Sequence, residues 1–269
     1  MHNLYERFVK ILDICKNIGK DLVNKNGNIP RRGVVPKFSD MEVLSLSMTS
    51  ESLCIDSEAY LFSILIGYKK EFPNLISRRQ YNDRRKLTHN LCETIRKRMA
   101  DCIDGGEDYF CIDSKPIEVC RVAREKRCTM RKNDYSKAPS FGYCASQKTH
   151  YYGYKLHVLC SLSGVIRSYN LTKESVHDIN YLQDIKLECP YRLNQKDWIP
   201  QFISFAKARK RIETEFSQLC DQFMIKRNYA QDTKGLFTRI IGKISAFTIL
   251  QYINKLNNRP IGEIKYALN

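Results

Sequence analysis

The feature that most narrows the fold is a pair of β-type runs, Tyr154-Lys-Leu-His-Val-Leu-Cys-Ser-Leu162 and Val165-Ile-Arg-Ser-Tyr-Asn-Leu171, separated only by Ser163-Gly164. A tight glycine-bearing turn of this kind closes an antiparallel hairpin. Upstream, Tyr109-Phe-Cys-Ile-Asp113 is a third, short β-type run that ends in a carboxylate. The Ser114-Lys115-Pro116 that follows predicts the end of sheet pairing, because proline cannot donate to the ladder. The expectation is three antiparallel strands, the first with an aspartate at its end.

Helical patterns flank these strands. Leu4, Phe8, Ile11, Ile14 or Cys15, Ile18 and Leu22 recur at three- and four-residue steps and share one face of a first helix. Asn24 to Lys37 breaks it. Ser39-x-x-Glu42 and Ser77-x-x-Gln80 have the form of capping boxes that restart helices, with further helix over 56–70 and 88–102. After the strands, helix is expected over 176–185, over 205–224 with Glu213 near its middle, and over the largely apolar 235–256. A long loop, 122–149, crosses one edge of the sheet. The organisation is thus α/β, with a helical region over 1–104 and a sheet-bearing region over 105–269. The short helices of the first region suit a helix-turn-helix or a plain bundle with a charged outer face.

Charge points to a partner. The 269 residues hold 45 Lys and Arg against 29 Asp and Glu, a formal charge of +16, with pI near 9.3. Such a chain favours a polyanion, because cations that reach phosphates release condensed counterions. The charge is clustered. Between Ser77 and Ala100 stand eight basic residues, Arg78, Arg79, Arg84, Arg85, Lys86, Arg96, Lys97 and Arg98, against two acidic ones. Between Arg121 and Lys137 stand seven, including Arg124, Arg127, Arg131 and Lys132, again against two. The strongly apolar stretch Tyr60–Tyr68 falls short of a membrane span, and Met1 to Arg7 has no apolar signal core. A soluble, cytoplasmic protein without a membrane partner is expected. The eleven cysteines form no Cys-x-x-Cys pair, so reduced thiols, mostly small buried apolar residues, are expected rather than a disulfide framework or a zinc site.

Four ordered blocks carry a family resemblance: Ile112-Asp113-Ser114-Lys115-Pro116, Gly153-Tyr-Lys-Leu-His157, Val176-His-Asp178, and Arg209-Lys-Arg-Ile-Glu213 with Phe216-Ser-Gln218. Together they resemble DDE-type bacterial insertion-sequence transposases, from about Asp40 to the C-terminus. The resemblance implies a ribonuclease H-like catalytic fold, a mixed sheet with helices, behind a helical DNA-binding region. It implies double-stranded DNA as partner, at the element's terminal inverted repeats and at the target, and a homo-oligomer on that DNA. It also implies two Mg²⁺ ions, with Mn²⁺ able to substitute, held by Asp113 and Glu213 as catalytic metal ligands. Ions about 3.5–4 Å apart activate the attacking oxygen and stabilise the leaving one. Lys115 and His157 become the polar neighbours of the scissile phosphate, although His157 is equally suited to packing within the sheet. Arg209 joins the DNA contacts.

One expected block is missing. The family's second catalytic aspartate sits on a fourth strand after the His-Asp helix, usually within an Asp-x-Gly-Tyr type block. Here Val176 to Asp184 leads through Ile185-Lys186 directly to Leu187-Glu-Cys-Pro-Tyr-Arg192. The junction near 185–187 reads as an in-frame loss of one strand–helix unit, on the order of 30 residues. Asp178 and Asp184 belong to the element before the missing strand and are not obvious substitutes. Two functional readings follow: a transposase with impaired chemistry, or a DNA-binding transposase remnant without catalysis. A general basic nucleic-acid-binding protein is a more remote third.

Overall fold

In the computed structural model, which describes residues 4–130, 138–144, 148–173, 203–227 and 229–267, the chain divides into two units. The first comprises Met1–Gly105, Asp221–Met224 and Lys234–Asn269, the second Gly106–Cys220 and Ile225–Thr233.

The first unit is helical. Helix α1, Leu4–Ile18, buries Leu4, Phe8, Ile11, Leu12, Ile14 and Cys15, the face its periodicity predicts. Helices α2, Asp40–Ser52, and α4, Arg78–Leu87, both begin at complete capping boxes. At the first, Ser39 Oγ accepts from Glu42 N–H at 3.2 Å and the Glu42 carboxylate accepts from Ser39 N–H at 2.6 Å. Helices α3, Glu58–Leu65, and α5, His89–Asp104, complete the N-terminal set. The C-terminal helix of this unit, Thr233–Leu256, differs from the expected grouping with the sheet. Among the described residues it is the one helix long and apolar enough to cross a membrane, yet 78% of its apolar window is buried inside the protein.

Buried charge explains that placement. Lys243, 1% exposed, donates to Glu51 at 2.8 Å, to Asp56 at 3.0 Å and to the Phe223 carbonyl at 2.7 Å. Arg239 pairs with the same Asp56. Arg85, 6% exposed, lies over the Tyr81 ring and pairs with Glu58 at 2.9 Å and Glu51 at 3.7 Å. Each carboxylate therefore pairs with a cation from α4 or the C-terminal helix, as a charge shielded from water requires. Arg84 completes a neighbouring set, donating to the Phe38 carbonyl and to Asp40, which also pairs with Arg31. Burial alone would raise the Asp40 pKa, but hydrogen bonds from Arg31, Arg84 and the Ile29 N–H hold it below the ordinary carboxylate range.

The second unit is built on one long strand. Strands β1, Phe110–Cys120, β2, Ser140–Cys144, β3, Thr149–Ser161, and β4, Ile166–Thr172, form an antiparallel sheet in which β1, β2 and β4 all pair with β3. The Ser163-Gly164 hairpin forms as predicted, with Gly164 at φ +91°. Two expectations are corrected. The first strand does not stop at Pro116, which stands opposite Lys155 inside β1. Among the described residues β1 is an edge strand, where a missing N–H is tolerated. The expected loop 122–149 contains β2 and a 3-10 turn, Val122–Arg127, giving four strands instead of three. Gly153 lies in β3 where a Cβ would meet the Ile117 carbonyl oxygen at 2.1 Å, so only glycine admits β1 this closely.

Helix α6, Ile203–Asp221, covers one face of this sheet. Alternation places Cys111, Asp113, Lys115 and Ile117 of β1 on the same face as Cys160, Val158, Leu156 and Tyr154 of β3. The Lys115 ammonium lies 5.5 Å from the Phe216 ring centroid, and Ile212, Phe216 and Leu219 are buried. Among them sits Glu215, 1% exposed. A side chain at Gly164 would meet its Oε1 at 2.4 Å. Burial pushes the Glu215 carboxyl well above the ordinary range, partly offset by Arg211 and reinforced by Cys111.

Two measurements test these packing roles. Lys243→Ala strips a shared partner from Glu51 and Asp56 and is expected to cost about 3–5 kcal/mol in urea unfolding; a loss under about 1 kcal/mol would remove the network from its structural role. For Glu215, the folded pKa lies above the unfolded value near 4.5. The folded state then retains a proton that the unfolded state releases, so stability present below that value is lost as pH rises towards the folded pKa. Glu215→Gln should raise Tm at about pH 7.5 and leave it unchanged near pH 4. Equal melting of the two proteins at both pH values would contradict the buried, proton-holding carboxyl.

Candidate active site and nucleic-acid interface

Asp113 stands in the middle of β1, opposite Val158, and is half-buried. Its Oδ1 accepts from the Ser114 N–H at 2.8 Å, which turns the carboxylate along its own strand. Strand alternation puts it on the face covered by α6, between Cys111 and Lys115. Lys115 touches Phe216, and Phe216 lies one helical turn from Glu213. The strand segment of Asp113 and the helix turn of Glu213 thus meet the same contact. Glu213 is exposed, and its Oε1 accepts from Arg209 Nε at 3.0 Å in a pair whose side chains are 59% and 80% exposed. An exposed pair of this kind is easily broken by a stronger ligand.

The metal test is the donor set. Among the described residues no group of three His, Cys, Asp or Glu side chains gathers where it could hold an ion. Asp113 and Glu213 are two carboxylates where two-ion chemistry calls for more ligands. Asp178 and Asp184 lie outside the described residues, so the described donor set is incomplete, and no catalytic step follows from it.

His157 does not take the expected place. It stands opposite Ser114 on β1, one residue out of step with Asp113, and the two-residue pleat therefore turns it to the other face of the sheet. It is fully buried and its Nε2 shares a hydrogen bond with Thr172 Oγ1 at 2.7 Å. This is the packed sheet histidine of the two alternatives, held away from any phosphate at Asp113. Lys115 keeps to the Asp113 face, half-buried against Phe216.

The basic clusters separate into internal and external cations. Arg78 and Arg79 are exposed on the first turn of α4. Arg84 and Arg85, expected on DNA, are instead committed to Asp40, Glu51 and Glu58. Lys86 is half-buried. Arg96 is fully buried and pairs with Glu93 at 2.6 Å. In the second cluster Arg121, Arg124, Lys126 and Arg127 are exposed on or beside the 3-10 turn, and Arg131, Lys132 and Lys137 lie outside the described residues. Helical position explains the split: α4 residues four apart share a face, so Arg85 falls beside the buried Tyr81. Sequence reasoning missed Glu215, for which its spacing with Ile212, Phe216 and Leu219 was the available signal.

No curated protein and no solved structure matches the chain. Residues 104–189 match the family model described as the transposase DDE domain, a family whose chemistry is polynucleotidyl transfer. That segment contains all four strands and Asp113. The sheet under α6 is the arrangement expected for a ribonuclease H-like domain, and three of the four ordered blocks, those at 112–116, 153–157 and 176–178, fall within the matched segment, which is thus similar to the transposase DDE domain; the block with Glu213 lies beyond it.

Proposed function

We propose that this protein is the transposase of a bacterial insertion sequence, that it binds double-stranded DNA at the element's ends as a homo-oligomer in the cytoplasm, and that cleavage and strand transfer are impaired in this copy. The observation that carries the reading is Asp113 on β1, under the helix that bears Glu213, with no third ligand beside them among the described residues. Mg²⁺, or Mn²⁺ in its place, supplies activation of the attacking oxygen and stabilisation of the leaving one when bound. Asp113 and Glu213 are the residues that would hold it. Two further facts support the impairment. Among the described residues the outer edge of β1 pairs with no strand, and the family match ends at 189, beside the 185–187 junction. Loss of a neighbouring strand leaves such an edge and removes the position of a third carboxylate.

A second reading, a DNA-binding remnant without chemistry, draws on the exposed Arg78, Arg79, Arg121, Arg124, Lys126 and Arg127. Both readings require salt-sensitive binding to the element's ends, and only cleavage divides them.

With Mg²⁺ or Mn²⁺ and DNA carrying the element's ends, cleavage is expected to be weak or absent. Efficient cleavage that Asp113→Ala abolishes would sink the impairment while sustaining the site. For binding, the double variant Arg124→Gln with Arg127→Gln should flatten the plot of log affinity against log salt by roughly 0.9 for each phosphate that the variant no longer neutralises. An unchanged slope would take the 3-10 turn out of the interface.

A further inference from the structure

Cys111 of β1 and Cys160 of β3 stand directly opposite each other in the antiparallel ladder. Their Sγ atoms are 3.1 Å apart, and both are free thiols. Residues so opposed have Cα atoms about 4.5–5.5 Å apart, inside the span of roughly 4.4–6.8 Å that a disulfide accepts. An S–S bond is about 2.05 Å long, so the sulfurs need close only by on the order of 1 Å, within reach of side-chain rotation. Both side chains lie on the α6 face, beside the buried Glu215. Cys160 is fully buried, whereas Cys111 is half-buried and open to a small solute.

We propose that Cys111 and Cys160 are a redox-modification site: a dithiol that a peroxide-class oxidant converts into a cross-strand disulfide, clamping β1 to β3 two residues before Asp113. The steps balance. Hydrogen peroxide transfers one oxygen to Cys111 Sγ, leaving a sulfenic acid and one water; the peroxide is reduced and the sulfur oxidised by two electrons. The Cys160 sulfur then attacks Cys111 Sγ, the S–S bond forms, the S–OH bond breaks, and the hydroxyl leaves with the Cys160 proton as a second water. A small-molecule thiol reverses the bond by exchange. The inference is independent of the proposed DNA chemistry, since it needs only the β1–β3 register.

The test uses the full chain, first reduced and then treated with hydrogen peroxide. Remaining thiols are alkylated, and the protein is digested without reductant for mass spectrometry. The expected product is a peptide pair joined through Cys111 and Cys160, two hydrogens lighter than its parts and separated by dithiothreitol. The exposed Cys54 and Cys102 should be recovered outside that pair. Recovery of both Cys111 and Cys160 as alkylated thiols, or of either joined mainly to a different cysteine, would overturn the proposal. In a second arm, Cys160→Ser should leave Cys111 as a sulfenic acid that dimedone traps, while the wild type gives little adduct. Equal trapping in both proteins counts against Cys160 as the resolving partner. The wild-type cross-link decides the matter by itself if the variant does not fold.

Discussion

Everything in the sheet unit depends on the hydrogen-bond ladder of β3. It carries β1 along one edge and β2 and β4 end to end along the other. A strand paired on both edges has its register set twice over, and because side chains alternate with a period of two, one register decides the face of every residue on its neighbours. Asp113 and Lys115 thereby fall under α6, with Leu156, Val158 and Cys160. The same ladder sends His157 to the opposite face and brings Cys111 against Cys160. A slip of one residue would exchange these sets and dissolve the candidate site.

The helical unit rests on a different constraint. Lys243, Arg239 and Arg85 meet Glu51, Asp56 and Glu58 in surroundings shielded from water. Such a network adds little net stability over a well-packed apolar one, yet it penalises arrangements that leave any member unpaired. That penalty gives the C-terminal helix a specific seat among the N-terminal helices. It also changes what the net charge of +16 means for binding, because Arg84, Arg85 and Arg96 face carboxylates in their own unit. The cations of the first turn of α4 and of the 3-10 turn, by contrast, are exposed to solvent.

Much of the architecture was legible locally. Capping boxes at Ser39 and Ser77 marked helix starts because their hydrogen bonds are made within four residues. The Ser163-Gly164 turn marked its hairpin because a positive φ favours glycine. Three of the four family blocks fall inside the segment that matches over 104–189. What was not legible required partners distant in sequence. Pro116 looked like a strand end, since nothing local says that it lies on an edge. The strand Ser140–Cys144 was hidden in a basic stretch, because its pairing with β3 alone makes it a strand. Glu215 looked like any helical carboxylate until α6 turned it onto the sheet.

By itself, then, the sequence determined the capped helix starts, the hairpin, the basic character and the family likeness of the 104–189 segment, because periodicity, capping, turn chemistry and motif order are properties of neighbouring residues. Only the tertiary structure decided which arginines are internal, which sheet face holds His157, that Cys111 meets Cys160, and that the last helix belongs with the first five. The physical reason is common to all four. Desolvation and strand register are set by groups far apart along the chain, and a charge, a thiol or an imidazole takes its role from what the fold places against it.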